Sequence, residues 1–187
     1  MTGRVIPGNL SPMGRLHLGP VAQLGYVVDD IAAAMRHWTT VLGVGPFSYL
    51  DEAPLRDVTY RDAPTAARIG VALSYSGDMQ IELIQQLDDA PSVYTDFLRA
   101  HGPGLHHLGY AADDFDLSVA ALADAGYVPI QHGNSGPATR FAYFPTDTHG
   151  GTMVELLEMT MMTPFFEHIR RTTLDWDGAD PIRPMGG

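Results

Sequence analysis

The chain has 187 residues, with 22 acidic side chains against 11 basic ones, all arginine, and no cysteine. A net charge of −11 argues against a nucleic-acid partner, because Lys and Arg on phosphates supply most of that affinity. The lack of lysine removes Schiff-base chemistry and a Walker-type phosphate loop, and the lack of cysteine removes disulfides, a thiolate nucleophile and zinc–thiolate sites. No apolar run approaches the roughly 18 residues that span a bilayer, and the opening MTGRVIPGNLSPMGR has no apolar signal-peptide core. A cytoplasmic protein with no membrane partner is expected.

Residues 1–20 are rich in Gly and Pro and are read as an irregular arm. Val21 to Val28 alternates as a strand with Gln23, Gly25 and Val27 on one face. Asp29-Asp30 is a plausible N-cap pair for a helix from Ile31 to Leu42, stopped by Gly43 and Gly45-Pro46. A strand at Phe47 to Asp51 precedes a polar, proline-punctuated stretch, Glu52 to Arg68. That stretch reads as a long loop with a short strand near Val58 to Arg61, a length often used for a lid. Arg68 to Tyr75 and Met79 to Gln85 form a hairpin around Ser76-Gly77-Asp78. Residues 21–86 thus make one βαβββ module.

Residues 87–103 connect, with a helix from about Ser92 to Ala100. The order then repeats over 104–160: a strand at Leu105 to Ala111, a helix at Phe115 to Ala125, and strands near Val128 to His132, Thr139 to Phe144 and Thr152 to Glu158. Residues 161–187 carry a short helix, Pro164 to Arg171, and an aperiodic tail. The fold class is α+β: two tandem βαβββ modules whose paired curled sheets enclose a central cleft.

The two halves echo each other in detail. AQLGYVVDD (Ala22 to Asp30) overlies HHLGYAADD (His106 to Asp114), placing Gln23 on His107 and Gly25 on Gly109. GDMQIELIQ overlies GGTMVELLE, placing Glu82 on Glu155. Strand alternation and pseudo-twofold symmetry predict that Gln23, Glu82, His107 and Glu155 meet, two from each half. One imidazole, two carboxylates and an amide oxygen suit one divalent ion of Mn, Fe, Co, Ni or Zn. A carboxylate such as Glu155 in an apolar strand needs a cation or an arginine to meet it. His106 is expected on the opposite strand face from His107, as a core or interface histidine. His101, His132 and His149 are expected to be solvated. Trp38 is expected in the core, and Arg170-Arg171 at a solvated helix end.

This pattern resembles the vicinal oxygen chelate superfamily, which includes glyoxalase I, methylmalonyl-CoA epimerase, extradiol dioxygenases and fosfomycin- and bleomycin-resistance proteins. The resemblance covers about Val21 to Glu158. It is most specific in MQIELIQQLDDAPSVYTDFLRAHGPGLHHLGYAADD, which is similar to the epimerase and glyoxalase-like branch. It implies metal ligation by Gln23, Glu82, His107 and Glu155, with a glutamate, Glu155 or Glu82, as catalytic base. It implies a metal-dependent lyase or isomerase that acts on a small carbonyl compound through an enolate; proteins of this type often form homodimers. In the epimerases a further glutamate, on the strand matching Gly70 to Tyr75, is the second acid/base. The chain reads GVALSY there, leaving Glu52, Tyr49 or Tyr60 as substitutes.

The scarcity of basic residues fits an apolar or aromatic carbonyl substrate better than a CoA or glutathione conjugate. Phe47, Tyr49, Tyr60, Tyr143 and Phe144 are the expected substrate contacts. Two alternatives stay open. One is a metal-free binding or resistance protein. The other is an extradiol-type dioxygenase, whose two-histidine, one-carboxylate triad Gln23 breaks.

Overall fold

The computed structural model describes residues 18–136, 139–146, 152–158 and 163–185. The expected arm before residue 18 and His149 lie outside these. Among the described residues, no helix is long and apolar enough to cross a membrane. The strands are β1 (Val21–Val27), β2 (Phe47–Leu50), β3 (Leu55–Tyr60), β4 (Ala63–Pro64), β5 (Ile69–Ser76), β6 (Met79–Gln86), β7 (Gly104–Ala111), β8 (Gln131–Ser135), β9 (Arg140–Phe144), β10 (Met153–Leu157) and β11 (Ile182–Pro184). The helices are α1 (Ile31–Thr40), α2 (Val93–His101), α3 (Phe115–Asp124) and α4 (Thr163–Leu174).

The strands form one curled, unclosed mixed sheet in the order β11-β2-β5-β6-β1-β7-β10-β9-β8-β3-β4. The duplication is visible in its pairing. β1 lies parallel to β6, and β7 parallel to β10. The two halves meet where β1 runs antiparallel to β7. Equivalent caps start the two repeated helices: the Asp30 carboxylate accepts from the Ala33 amide, and that of Asp114 from the Leu117 amide.

Alternation along the strands divides the core. On the convex face α1 covers Phe47, Ala72, Ile81 and Leu83 with Ile31 and Met35, and α3 covers Ala142, Phe144 and Leu156 with Phe115 and Leu122. Trp38 joins the first group, edge-on to Tyr26 at 5.4 Å. The concave face holds Val27, Val71, Leu73, Ile84, Phe141, Tyr143 and Leu157, packed against Tyr94 of α2 and Ile169 of α4.

Several boundaries differ from the expectation. Helix α1 stops at Thr40, and Val41 and Leu42 are exposed. Strand β8 starts at Gln131 and not at Val128, because Pro129 has no amide to donate and pairing opens with the Ile130 amide on Tyr143 O at 2.8 Å.

The larger corrections are topological. Glu52 to Arg68 is not a lid. It forms the hairpin β3–β4, which crosses to the far half and pairs with β8 at the edge of the sheet. The Arg61 guanidinium holds it there, meeting Asp96 of α2 at 2.9 Å, and Thr65 Oγ1 donates to Pro91 O at 2.7 Å. The tail, aperiodic in sequence, supplies β11 parallel to β2 at the opposite edge. Arg170 is no free helix end either; it pairs with Asp78 at the β5–β6 turn.

Ile169 is 1 % exposed and is the contact by which α4 enters the concave core. Ile169→Ala is expected to lower unfolding free energy by about 2–5 kcal/mol through lost transfer energy and a residual cavity. Leu117→Ala, on an exposed position, should change it by less than about 0.5 kcal/mol. Urea denaturation of the two variants beside the parent checks both.

Candidate functional site

The polar constellation is built where β6, β1, β7 and β10 run side by side. Gly25 of β1 stands between Glu82 of β6 and His107 of β7 in the pairing register. Gly109 of β7 stands between Gln23 of β1 and Glu155 of β10. These two rows are the pseudo-symmetric images of each other. A Cβ on Gly25 would sit 1.8 Å from His107 Cε1, and one on Gly109 would sit 2.7 Å from Gln23 Oε1. Each half therefore keeps a bare backbone where the other half's polar side chain must lie.

The side chains converge on His107 Nε2. Glu155 Oε2 is 3.0 Å away, Glu82 Oε2 3.2 Å and Gln23 Oε1 3.2 Å. The carboxylate and imidazole ligand atoms of Glu82, His107 and Glu155 all lie within 4.8 Å of one another. Of the expected site residues, the structure brings these four together.

Orienting contacts surround them. The Gln23 amide nitrogen donates to Gln80 Oε1 at 2.7 Å, and Gln80 in turn donates to the Tyr75 hydroxyl at 2.8 Å, which turns Gln23 Oε1 toward His107. On β7, pairing slips between Gly25–His107 and Tyr26–Leu105, leaving His106 as the extra residue of a bulge. The expectation that His106 faces away from His107 is thereby overturned. The bulge brings its ring among Tyr94, Phe97 and Tyr143, with Nδ1 3.0 Å from His107 Nδ1. Burial first, and the neighbouring His107 second, hold His106 well below the ordinary histidine pKa. A neutral His106 can thus accept the Nδ1 proton of His107 and leave Nε2 facing the carboxylates.

The electrostatics call for positive charge at this point. Burial works against a charged His107 ring, yet Glu155 and then Glu82 overcome it and push its pKa up to about 10. Burial raises Glu82 in turn, His107 opposes that rise, and Glu155 adds to it. Glu82 Oε2 and Glu155 Oε2 have no hydrogen-bond partner of ordinary geometry. With both carboxyl groups ionised, a single imidazolium leaves one negative charge uncompensated, which is costly in a low-dielectric interior. A divalent cation held by both carboxylates, a neutral imidazole and an amide oxygen balances it. The donor set therefore fits such an ion.

Beside this cluster opens a cavity of ≈ 340 Å³, a size ordinary for small-molecule sites. Gln23 and Glu82 reach it, and its walls include Val71, Ile84, Phe141 and Leu157 with Phe165 and Phe166 of α4. Tyr143 lines it as expected, its hydroxyl accepting from that of Tyr94 at 3.2 Å. Burial raises both phenols well above their usual range.

The other expected contacts lie elsewhere. Phe47, Tyr49 and Phe144 belong to the convex face. Tyr60 turns to α2, where its hydroxyl bonds Asp96 and accepts from Arg61 Nε at 2.7 Å. Glu52 is exposed and pairs with Arg68. None of the proposed substitutes for a second acid/base therefore reaches the cavity, and β5 presents only Ile69, Val71 and Leu73 to it.

A family model described as the Glyoxalase/Bleomycin resistance protein/Dioxygenase superfamily matches residues 22–144. The chain belongs to that superfamily. Solved structures of the same fold include a hypothetical protein from Bacillus halodurans, at 17% identity, TM-score 0.54, over 74% of this chain and 92% of that one. Methylmalonyl-CoA epimerase from Mycobacterium tuberculosis matches at 23% identity, TM-score 0.51, over 72% and 84%. A Streptomyces coelicolor methylmalonyl-CoA epimerase matches at 16%, TM-score 0.51, over 73% and 94%. No curated protein matched by sequence. The superfamily match contains Gln23, Glu82 and His107, whereas Glu155 on β10 and all of α4 and β11 follow it.

Gly25→Ala and Gly109→Ala each put a methyl group into a polar side chain that the site needs. Both variants are expected to bind Mn²⁺ at least tenfold more weakly than the parent, measured by calorimetric titration. Gly77→Ala, in a turn open to space but at positive φ, should cost stability and leave Mn²⁺ affinity unchanged.

Proposed function

We propose that the protein is a divalent-metal-dependent lyase or isomerase acting on a small, uncharged carbonyl compound that loses an α-proton. The observation that carries this reading is the approach of Glu82, Glu155 and Gln23 oxygens to one His107 nitrogen at the edge of an apolar cavity. Gln23, Glu82, His107 and Glu155 would hold one ion of Mn, Fe, Co, Ni or Zn. When bound, it supplies Lewis-acid stabilisation of negative charge developing on a substrate oxygen.

The residues divide the remaining work. Glu155 is 3 % exposed, lies beside Gly109 in the register and is not among the described residues that line the cavity, so it serves as a ligand. Glu82 is the carboxylate in the cavity wall among the described residues, and it takes the α-proton of the bound carbonyl compound. In an α-hydroxycarbonyl compound, return of that proton to the former carbonyl carbon, while the hydroxyl proton moves to the other oxygen, completes an isomerisation; departure of a β-substituent with its bonding electron pair, leaving a C=C bond, completes an elimination. The apolar wall excludes water and holds the substrate body. A two-carboxylate epimerisation is disfavoured, since β5 offers no second acid. A dioxygenase triad is disfavoured too, because Gln23 stands in the cluster where that triad needs its second histidine.

Elemental analysis of protein purified without chelator should find about one divalent ion per chain, with loss of that ion in His107→Ala and Glu155→Ala. A metal-free protein would overturn the reading and favour a binding protein. With the metal-loaded protein in deuterated water, NMR should show α-proton exchange in a bound ketone such as 4-phenyl-2-butanone, without oxygen. Glu82→Gln should slow this exchange by roughly 10²–10⁴-fold, the range for loss of a positioned base.

A further inference from the structure

The cavity has polar atoms at both ends, and the metal cluster accounts for one end only. Along one wall Tyr143, Phe141 and Thr139 face the cavity in alternation. Tyr143 stands level with Glu155 and Phe141 level with Leu157. Thr139, four residues from Tyr143, lies about 13 Å further along an extended chain at ~3.3 Å per residue. The opposite wall repeats these rows, with Leu73 level with Glu82, Val71 with Ile84, and Ile69 beyond.

The rows differ at the far end, where one wall has an isoleucine and the other a threonine. Thr139 is 5 % exposed, and its Oγ1 has no hydrogen-bond partner among the described residues. A buried hydroxyl in that condition is destabilising, and a threonine that served only packing would normally turn its oxygen to a nearby carbonyl.

We propose that Thr139 Oγ1 is the specificity contact for the distal end of the substrate. The substrate is then an elongated, uncharged molecule with a carbonyl group at the Gln23–Glu82 end, an apolar middle, and a hydroxyl or carbonyl oxygen at the Thr139 end. Among the described residues, no arginine or histidine lines the cavity to balance a distal anion, and Glu82 is its only carboxylate. Val71, Ile84, Phe141 and Leu157 enclose the middle, with Phe165 and Phe166 of α4 completing the wall. Which end carries the carbonyl rests on the proposed metal centre; the distal hydrogen bond does not.

Two ketones that differ by a single hydroxyl test this: 4-(4-hydroxyphenyl)-2-butanone and 4-phenyl-2-butanone. Calorimetric titration of the Mn²⁺-loaded protein should show the phenol binding roughly five- to thirtyfold more tightly, the worth of one buried hydrogen bond that rescues an unpaired group. Thr139→Val should reduce that ratio to about one while leaving the affinity for 4-phenyl-2-butanone unchanged, and Thr139→Ser should retain the ratio. Thr139→Val should also melt higher than the parent, since it removes a buried unpaired hydroxyl, which confirms that the variant folds. Equal affinities in the parent, a ratio that survives Thr139→Val, or no binding of either ketone overturns the assignment. The same titration on EDTA-treated protein separates the two readings. If the phenol preference persists while removal of metal leaves both affinities unaltered, Thr139 keeps its role and the carbonyl–metal contact is what fails.

Discussion

The structure depends on a local charge problem: two glutamates and a glutamine directed at one imidazole nitrogen inside a β-sheet. Packed strands set paired side chains only about 4.5–5.5 Å apart at Cβ, too close for four polar side chains in two adjacent rows without space made for them. Gly25 and Gly109 provide that space. Each lies between two of the four polar residues in the register, so the rings and amides can lie over bare backbone and reach the centre. Without the glycines the duplicated sheet would still form, but its polar residues could not converge. With them, the convergence builds an excess of negative charge that His107 alone cannot neutralise.

The two halves solve the problem of orientation differently. In the first half Gln80 lies beside Gln23 in the register and fixes its amide. The equivalent position beside His107 is Met153, which offers no such contact. The second half instead uses the bulge before its ligand, which brings His106 onto the ring of His107. The first half has the matching slip, between the Val21–Tyr110 and Gln23–Gly109 pairs, with Ala22 as the extra residue. Duplication thus preserved the backbone irregularity, and the side chain at it differs between the two copies.

The division of the chain into two βαβββ repeats and the four converging polar residues could be read from sequence because both are periodic. Strand alternation and a superposable repeat place Gln23 on His107 and Glu82 on Glu155 before any coordinates exist. The same repeat shows Gly25 on Gly109, but a glycine's role is defined by what lies across from it, which only the register reveals. The bulge at His106 breaks the alternation from which its facing was inferred. Phe47, Tyr49 and Tyr60 stand out in the sequence by residue type alone, and aromatic type does not say which face of a sheet a side chain takes. Hairpin β3–β4 and strand β11 were hidden because their pairing partners are remote in sequence and their short segments carry no period of their own.

These hidden pieces have one property in common: they are not duplicated. The floor of the cavity comes from the repeat, where the pair Leu73–Glu82 corresponds to the pair Tyr143–Glu155, although of the two glutamates only Glu82 lines the cavity. The walls and roof come from Ala53, Pro54 and Leu55 around the start of the crossing hairpin, from Phe165 and Phe166 of α4, and from Met185 after β11. Helix α4 and β11 follow the segment that matches the superfamily. The polar cluster therefore comes from the duplicated strands, and part of the cavity enclosure from segments outside the duplication. Likeness to the epimerases at 16–23% identity bears on the fold that forms the floor. The superfamily match ends before α4 and β11, so Phe165, Phe166 and Met185, which close part of the cavity, lie outside it.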